Sequence, residues 1–309
     1  MPIEEVDIVA FDFPGHGQSS HKSKDADGQV VDYCFYVAEA VRILGWVVVD
    51  EDDYDARNVK SAQRFILMGH SMGGAVSTMY AASFPQQISA LITLDAFGPD
   101  FESPKNISAR IRRHILDRYQ HNVQRNGNDS SGGSMRVAVP MKKRYQNVQA
   151  AATARMRTAR LAPGGHQYLS QEAAMRLVQR ATVPIDSITT TTTSSSSSNS
   201  SSSSSSNNAP KVHFIHDPRL KYSPVLLHTR DQVEGFWKAI QCPVLFLVAE
   251  DGWPFPSALM EQCQAWVRHK GNLTFKKLHG SHHFHADPDT ADAVAKTAVE
   301  FIQQEQEFL

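Results

Sequence analysis

Gly69-His70-Ser71-Met72-Gly73 sets a serine at the centre of a G-x-S-x-G pentapeptide. It lies between an apolar run, Phe65-Ile66-Leu67-Met68, and a small-residue stretch from Ala75 to Ala81. A strand leading in and a helix leading out force a sharp, strained turn that lifts the serine hydroxyl clear of the backbone. The same turn aims the Met72 N–H and the helix N-terminus at the space where an oxyanion would form. The chemistry such a turn serves is nucleophilic attack on a carbonyl, and it needs a base, because a hydroxyl is a poor nucleophile until its proton is taken.

The base is expected from Gly280-Ser281-His282-His283-Phe284-His285. His282 is preferred, since it stands nearest the apolar run Leu273–Leu278 and follows a flexible Gly-Ser pair; His283 and His285 are alternatives. The acid that orients the imidazole is expected at Asp251, just past the run Pro243–Val248, where ligands bind in open α/β sheets. Asp95, at the end of Ile88–Leu94, is the second choice and Glu250 the third. Asp287 alone beside the histidines makes no metal site, and no cofactor is expected. Asp12-Phe13-Pro14-Gly15-His16-Gly17 lacks the Lys-Ser/Thr and the glycine spacing of a nucleotide loop and reads as a turn beside the site.

The elements that must position these residues form short buried runs alternating with helical spacing. Val6–Phe11 predicts a strand, Val30–Trp46 a helix, and Phe65–Met68 and Ile88–Leu94 two further strands. Pro243–Val248 and Leu273–Leu278 add two more, and Ala291–Ile302 a closing helix. Strand, helix and strand in succession argue a parallel sheet. Residues 1–99 and 237–309 therefore read as one core, with residues 100–236 inserted as a helical, Arg-rich segment. Within it Ser108–Tyr119 and Met141–Leu161 read as helices, and residues 187–208 as a disordered Ser/Thr/Asn tract that cannot offset its ordering entropy. The acidic block Asp50–Asp55 reads as a solvated loop.

The 309 residues carry 31 basic and 32 acidic side chains, a balance that gives no overall reason to expect nucleic acid or an anionic membrane. The basic excess in the insert, with Arg110, Arg112 and Arg113 among its members, lacks interleaved aromatics and reads as a solvated face. No apolar run approaches the ~18 residues of a spanning helix. Cys34, Cys242 and Cys263 fit no zinc spacing and read as reduced thiols, so the expected compartment is the cytoplasm, with the peroxisome as the alternative. The closing Glu307-Phe308-Leu309 differs from the Ser-Lys-Leu peroxisomal address.

Val9–Ser19, Gly69–Gly74 and the His282 region together resemble the α/β-hydrolase fold family. Leu94–Pro99, Ser170–Ala174 with Arg180, Phe214–Leu220 and Ile240–Pro243 narrow the resemblance to its serine hydrolase-like, kraken-type branch. The resemblance implies a three-layer sandwich, a helical lid after the Asp95 strand, and ester-type hydrolysis by Ser71 and His282. It also implies three strands ahead of Val6, the third of them between the Val6 and Phe65 strands, with a second oxyanion donor in the following loop. On that reading the first three strands are missing and Met1 is an internal methionine of a longer protein. The loss would leave buried backbone groups unpaired at ~1–3 kcal/mol each, so poor folding and slow turnover are expected.

The expected function is cleavage of a small or medium ester, thioester or amide by a Ser-His-Asp mechanism, with a small acyl molecule as partner and no nucleic acid. A non-catalytic small-molecule-binding protein on the same scaffold is the alternative.

Overall fold

The computed structural model describes residues 7–22, 33–48, 64–126, 143–161, 168–185, 210–224, 227–267 and 273–306. Its centre is a four-stranded parallel sheet of β1 (Phe65–His70), β2 (Ile88–Leu94), β6 (Val244–Asp251) and β7 (Leu273–Ser281), in the order β1-β2-β6-β7. β2 and β6 are almost continuously buried because both of their faces are covered. On one face Ile88, Leu91, Val244, Phe246 and Val248 pack against α1 (Tyr33–Val48), α2 (Met72–Ser83), α6 (Arg230–Ala239) and α7 (Ser257–Trp266). On the other, Ala90, Ile92, Leu94, Leu245, Leu247 and Ala249 meet Val294, Ala298 and Phe301 of α8 (Pro288–Gln306). From Ala90 to Leu94 and from Val244 to Ala249 alternate residues thus serve opposite layers, the period-2 consequence of the pleat, while Ile88 precedes a register irregularity with β1 and joins the other face.

Between β2 and α6 the chain forms α3 (Ile107–Asn126), α4 (Val148–Arg160) and α5 (Gln171–Ala181), with a small antiparallel sheet. That sheet pairs β3 (Arg144–Tyr145) and β4 (Thr182–Pro184) on either side of β5 (Val212–Phe214). Alanines let α4 and α5 approach closely, with Ala151, Ala152, Ala173 and Ala174 buried between them. The Asn147 side chain accepts from the Ala150 N–H and the Ser170 side chain from the Ala173 N–H, which satisfies orphan donors at both helix starts. The boundary expected at 236/237 falls inside α6, whose Val233 and Trp237 belong to the main core; the Trp237 indole donates to the Phe97 carbonyl at 3.1 Å.

Two expectations need correction. Residues 7–11 form no strand, and Ile8 is 89% exposed. Among the described residues no neighbouring strand exchanges ladder bonds with them, and an apolar run without that ladder gains little from extension. The helix expected from Met141 begins only at Val148, because Arg144-Tyr145 pairs with Val212-His213 first. Residues 50–55 and the tract 187–208 lie outside the described residues. Cys242 and Cys263 are buried free thiols. Among the described residues no helix is long and apolar enough to cross a membrane, and no group of His, Cys, Asp or Glu is arranged to hold a metal ion.

Candidate active site

Because the four central strands run parallel, all their C-terminal ends lie along one sheet edge, and the residues that follow them converge there. Ser71 follows β1, Asp95 follows β2, Gly252 follows β6 and His282 follows β7. Ser71 has φ of 53° and ψ of −120°, a left-handed conformation that a non-glycine residue adopts only where the surroundings enforce it. Its N–H is held by the Leu94 carbonyl at 3.1 Å. A side chain on Gly69 would collide with the Gly73 carbonyl, so glycine at this position is what lets strand and helix meet. Gly73 itself faces open space, and Gly74 takes the second close contact, against Ala96.

Ser71, Met72 and Gly73 line a cavity of about 660 Å³ together with His282, and Met72 opens α2, where the first backbone N–H groups have no intrahelical acceptor. His282 is 5% exposed, and its Nδ1 lies 2.7 Å from Oδ2 of Asp95, which is fully buried. Asp95 also has a positive φ, 47°, and its carboxylate accepts from the backbone N–H of Ala249 at 3.2 Å and of Trp253 at 2.9 Å. Gly252 permits this wrapping, since any side chain there would strike the Asp95 carboxylate. A carboxylate fed by these donors stays oriented and presents a fixed acceptor to the imidazole.

The structure therefore brings together Ser71, Met72 and His282, and puts Asp95 rather than Asp251 behind the ring. β6 runs past its expected end at Val248 to Asp251, through an irregularity in its pairing with β7. That extension leaves Asp251 exposed and in register with Ser281. Glu250 is exposed too, 3.1 Å from His279. Asp95, by contrast, is turned inward by its left-handed backbone. His283 and His285 sit beside His282 without touching the carboxylate, and Asp287 accepts from the Ser170 N–H, tying the insert to the core.

Sequence reasoning missed Trp253, His70 and Arg155. The Trp253 indole N–H donates to His282 Nε2 at 3.2 Å, the nitrogen that would have to receive the serine proton. Among the described residues the Ser71 hydroxyl has no hydrogen-bonded partner. His70 donates from Nε2 to the His282 carbonyl at 2.7 Å, and its ring packs 4.0 Å from that of His285 and 4.4 Å from that of His282. Burial pushes His70 down to about 2, His283 to about 3 and His285 to about 4, with the neighbouring histidines adding to each fall. These rings are neutral at ordinary pH. A repeated His near a glycine was visible in the sequence at 70 and 282–285; nothing there marked Trp253, which the turn at Gly252 delivers.

A model of the α/β hydrolase fold family matches residues 4–288. A serine hydrolase-like protein of Danio rerio is 25% identical over 304 residues, spanning 96% of this chain and 73% of that protein. A serine hydrolase-like protein of Dictyostelium discoideum is 24% identical over 314 residues, 98% of this chain and 68% of that protein. Among solved structures, a hypothetical protein from Pseudomonas aeruginosa PAO1 superposes with a TM-score of 0.64 at 25% identity, covering 94% of this chain and 80% of that one.

Proposed function

We propose, from the premise that this chain belongs to the α/β-hydrolase fold family, that it is a serine hydrolase acting on a small or medium ester, thioester or amide. Ser71 Oγ attacks the substrate carbonyl as His282 Nε2 takes its proton. Asp95 holds the Nδ1–H of the ring and stabilises the imidazolium that forms. The Met72 N–H donates to the oxyanion, and collapse of the tetrahedral intermediate passes the proton from His282 to the leaving group. Water then attacks the acyl-enzyme by the same route in reverse. The part of the insert that carries α4 serves as a lid, since Arg155, Thr158, Ala159 and Leu161 line the same cavity as Ser71.

The observation that carries the reading is the 2.7 Å contact of His282 with a fully buried Asp95, in a ring that shares its cavity with a strained serine. A fluorophosphonate probe tests it: a stoichiometric adduct is expected on Ser71, located by peptide mass analysis and absent from Ser71→Ala. A protein that stays unlabelled at position 71 would end the proposal.

The Trp253 contact bears on the same step. While the indole donates to Nε2, that lone pair is unavailable to the serine, so the ring must exchange one partner for the other before attack. Trp253→Phe keeps most of the apolar volume and removes the donor. Labelling of Ser71 is expected to speed up by about two- to tenfold, the worth of one net hydrogen bond. An unchanged or slower rate would mean that the indole positions the ring instead of competing for it.

A further inference from the structure

The wall of the cavity holds an arginine that has no carboxylate partner among the described residues. Arg155, on α4, lines the same space as Ser71, Met72 and His282. Among the described residues its hydrogen-bonded partner is a ring nitrogen, His283 Nε2, 3.3 Å from one guanidinium nitrogen. That ring is neutral, so it accepts a hydrogen bond and offers no countercharge. Three other arginines of the insert have carboxylate partners: Arg110 meets Glu102 at 2.6 Å, Arg176 meets Glu172 at 2.7 Å and Arg180 meets Asp12 at 2.8 Å. Among the described residues no acidic side chain lines the cavity. Burial disfavours the charged form of Arg155, which shows in a pKa lowered by desolvation.

Withdrawing a guanidinium from water without an anion is costly, and the cost is recovered when an anion arrives in its fork. One nitrogen is committed to His283, and the remaining N–H donors of the planar group are free to meet two oxygens of a carboxylate or phosphate. The first turn of α2, at Met72 and Gly73, adds its partial positive charge to the same cavity. The walls therefore attract negative charge and repel positive charge at the place where the carbonyl must sit.

We propose that Arg155 is a specificity-determining residue and that the substrates of this site are esters or thioesters bearing an anionic group, carboxylate or phosphate, within a few atoms of the scissile carbonyl. The proposal rests on the hydrolase reading given above and adds the substrate class.

The test compares anionic esters with neutral partners of the same shape on the full chain. Monomethyl glutarate is set against its terminal amide, and 2-acetoxyethyl phosphate against its neutral dimethyl phosphotriester. In the wild type kcat/KM should favour at least one anionic member by more than about tenfold; the arm that shows it identifies carboxylate or phosphate. In Arg155→Gln the ratio should fall to about one, and in Arg155→Lys, which keeps the charge but loses the fork, to an intermediate value. A ratio at or below one in both wild-type arms overturns the proposal, as does an unaltered ratio in Arg155→Gln. Should Arg155→Gln lose its cooperative melting, Arg155→Lys carries the comparison alone, with an unaltered ratio again overturning the proposal. Binding separates this inference from the catalytic one. Calorimetry with glutarate and with glycerol phosphate should show at least one of them bound by the wild type and weakened at least about tenfold by Arg155→Gln, whether or not Ser71 takes the fluorophosphonate. Labelled Ser71 with no Arg155-dependent binding of either anion leaves the hydrolase reading intact and refutes this one.

Discussion

Asp95→Asn is expected to lower kcat/KM about 10⁴-fold, while Asp251→Asn changes it by less than about twofold. The expectation follows from which atoms face His282. Asp95 Oδ2 lies 2.7 Å from His282 Nδ1 and draws the ring proton to that nitrogen, leaving Nε2 as a lone pair. An asparagine of the same size can turn its NH₂ toward Nδ1. The ring then carries its proton on Nε2, where it points at the serine as a donor and can accept nothing. The geometry survives and the tautomer is wrong, which is why the loss is large for so small a change. The substituted amide would retain an oxygen for the Ala249 N–H, now held at 3.2 Å, but its NH₂ would face the Trp253 N–H that Oδ2 accepts at 2.9 Å, so a loss of stability of about 1–3 kcal/mol accompanies the lost chemistry. A thermal melt alongside the kinetics separates misfolding from lost chemistry. Asp251 stands exposed at the end of β6, and neutralising it touches no atom of the ring. A large loss at 251 with a small one at 95 would return the acid to the sequence-based expectation.

That expectation shows where a sequence stops being informative. The Ser71 turn was legible because a local pattern and its flanking elements suffice to build it: an apolar strand, a glycine that admits the helix backbone, and small residues after it. Ile88–Leu94 and Val244–Val248 were legible because parallel strands buried on both faces read as unbroken apolar runs. The histidine was legible as a cluster at a strand end, and the ring selected from it is the one that meets a carboxylate. Choosing between Asp95 and Asp251 depended on two features without a residue-type signature. One is the irregular pairing between β6 and β7 that carries β6 three residues past Val248. The other is the left-handed backbone at Asp95, stabilised by an N–H bond to the Leu247 carbonyl at 2.7 Å on the neighbouring strand. Residues 7–11 carry the composition of a strand, yet strand formation is a property of pairs, and no partner strand lies beside them among the described residues. The short strands of the insert escaped notice for a related reason: two or three residues hold no period to read. Arg155 looked like one more residue of a solvated basic face until α4 was seen to turn it toward Ser71.

The histidines that frame the site should make the protein acid-labile in a definite window. His70, His283 and His285 are kept neutral by burial and by one another, with folded values near 2, 3 and 4, and burial also lowers His16 beside them. In the unfolded chain each would titrate near ~6.5. The folded values are depressed, so the unfolded state binds more protons below that point, and stability falls as pH falls. Their contribution is complete above about pH 6.5 and is lost progressively on the way down to the folded values. Each histidine adds at most about 1.4 kcal/mol per pH unit to the slope. The carboxylates held below their usual range by partners, among them Asp12, Asp117 and Asp217, titrate lower, whereas burial raises Asp100 and Glu305, whose proton uptake in the folded state works against the histidine slope. Denaturant unfolding at half-unit steps from pH 6.5 to about 4.5 should give a slope that rises from about one or two protons taken up on unfolding at the upper end to about two or three near pH 5. Replacing His285 by Gln removes a ring that packs on His70 and His283 and should lower the slope by about one proton. The same substitution also relieves His70, since after burial His285 is the neighbouring ring that does most to disfavour a proton on it. A slope below one proton in the wild type would mean that these rings are wetted and titrate freely, and the desolvated cavity that the catalytic and anion-binding proposals share would then be lost as well.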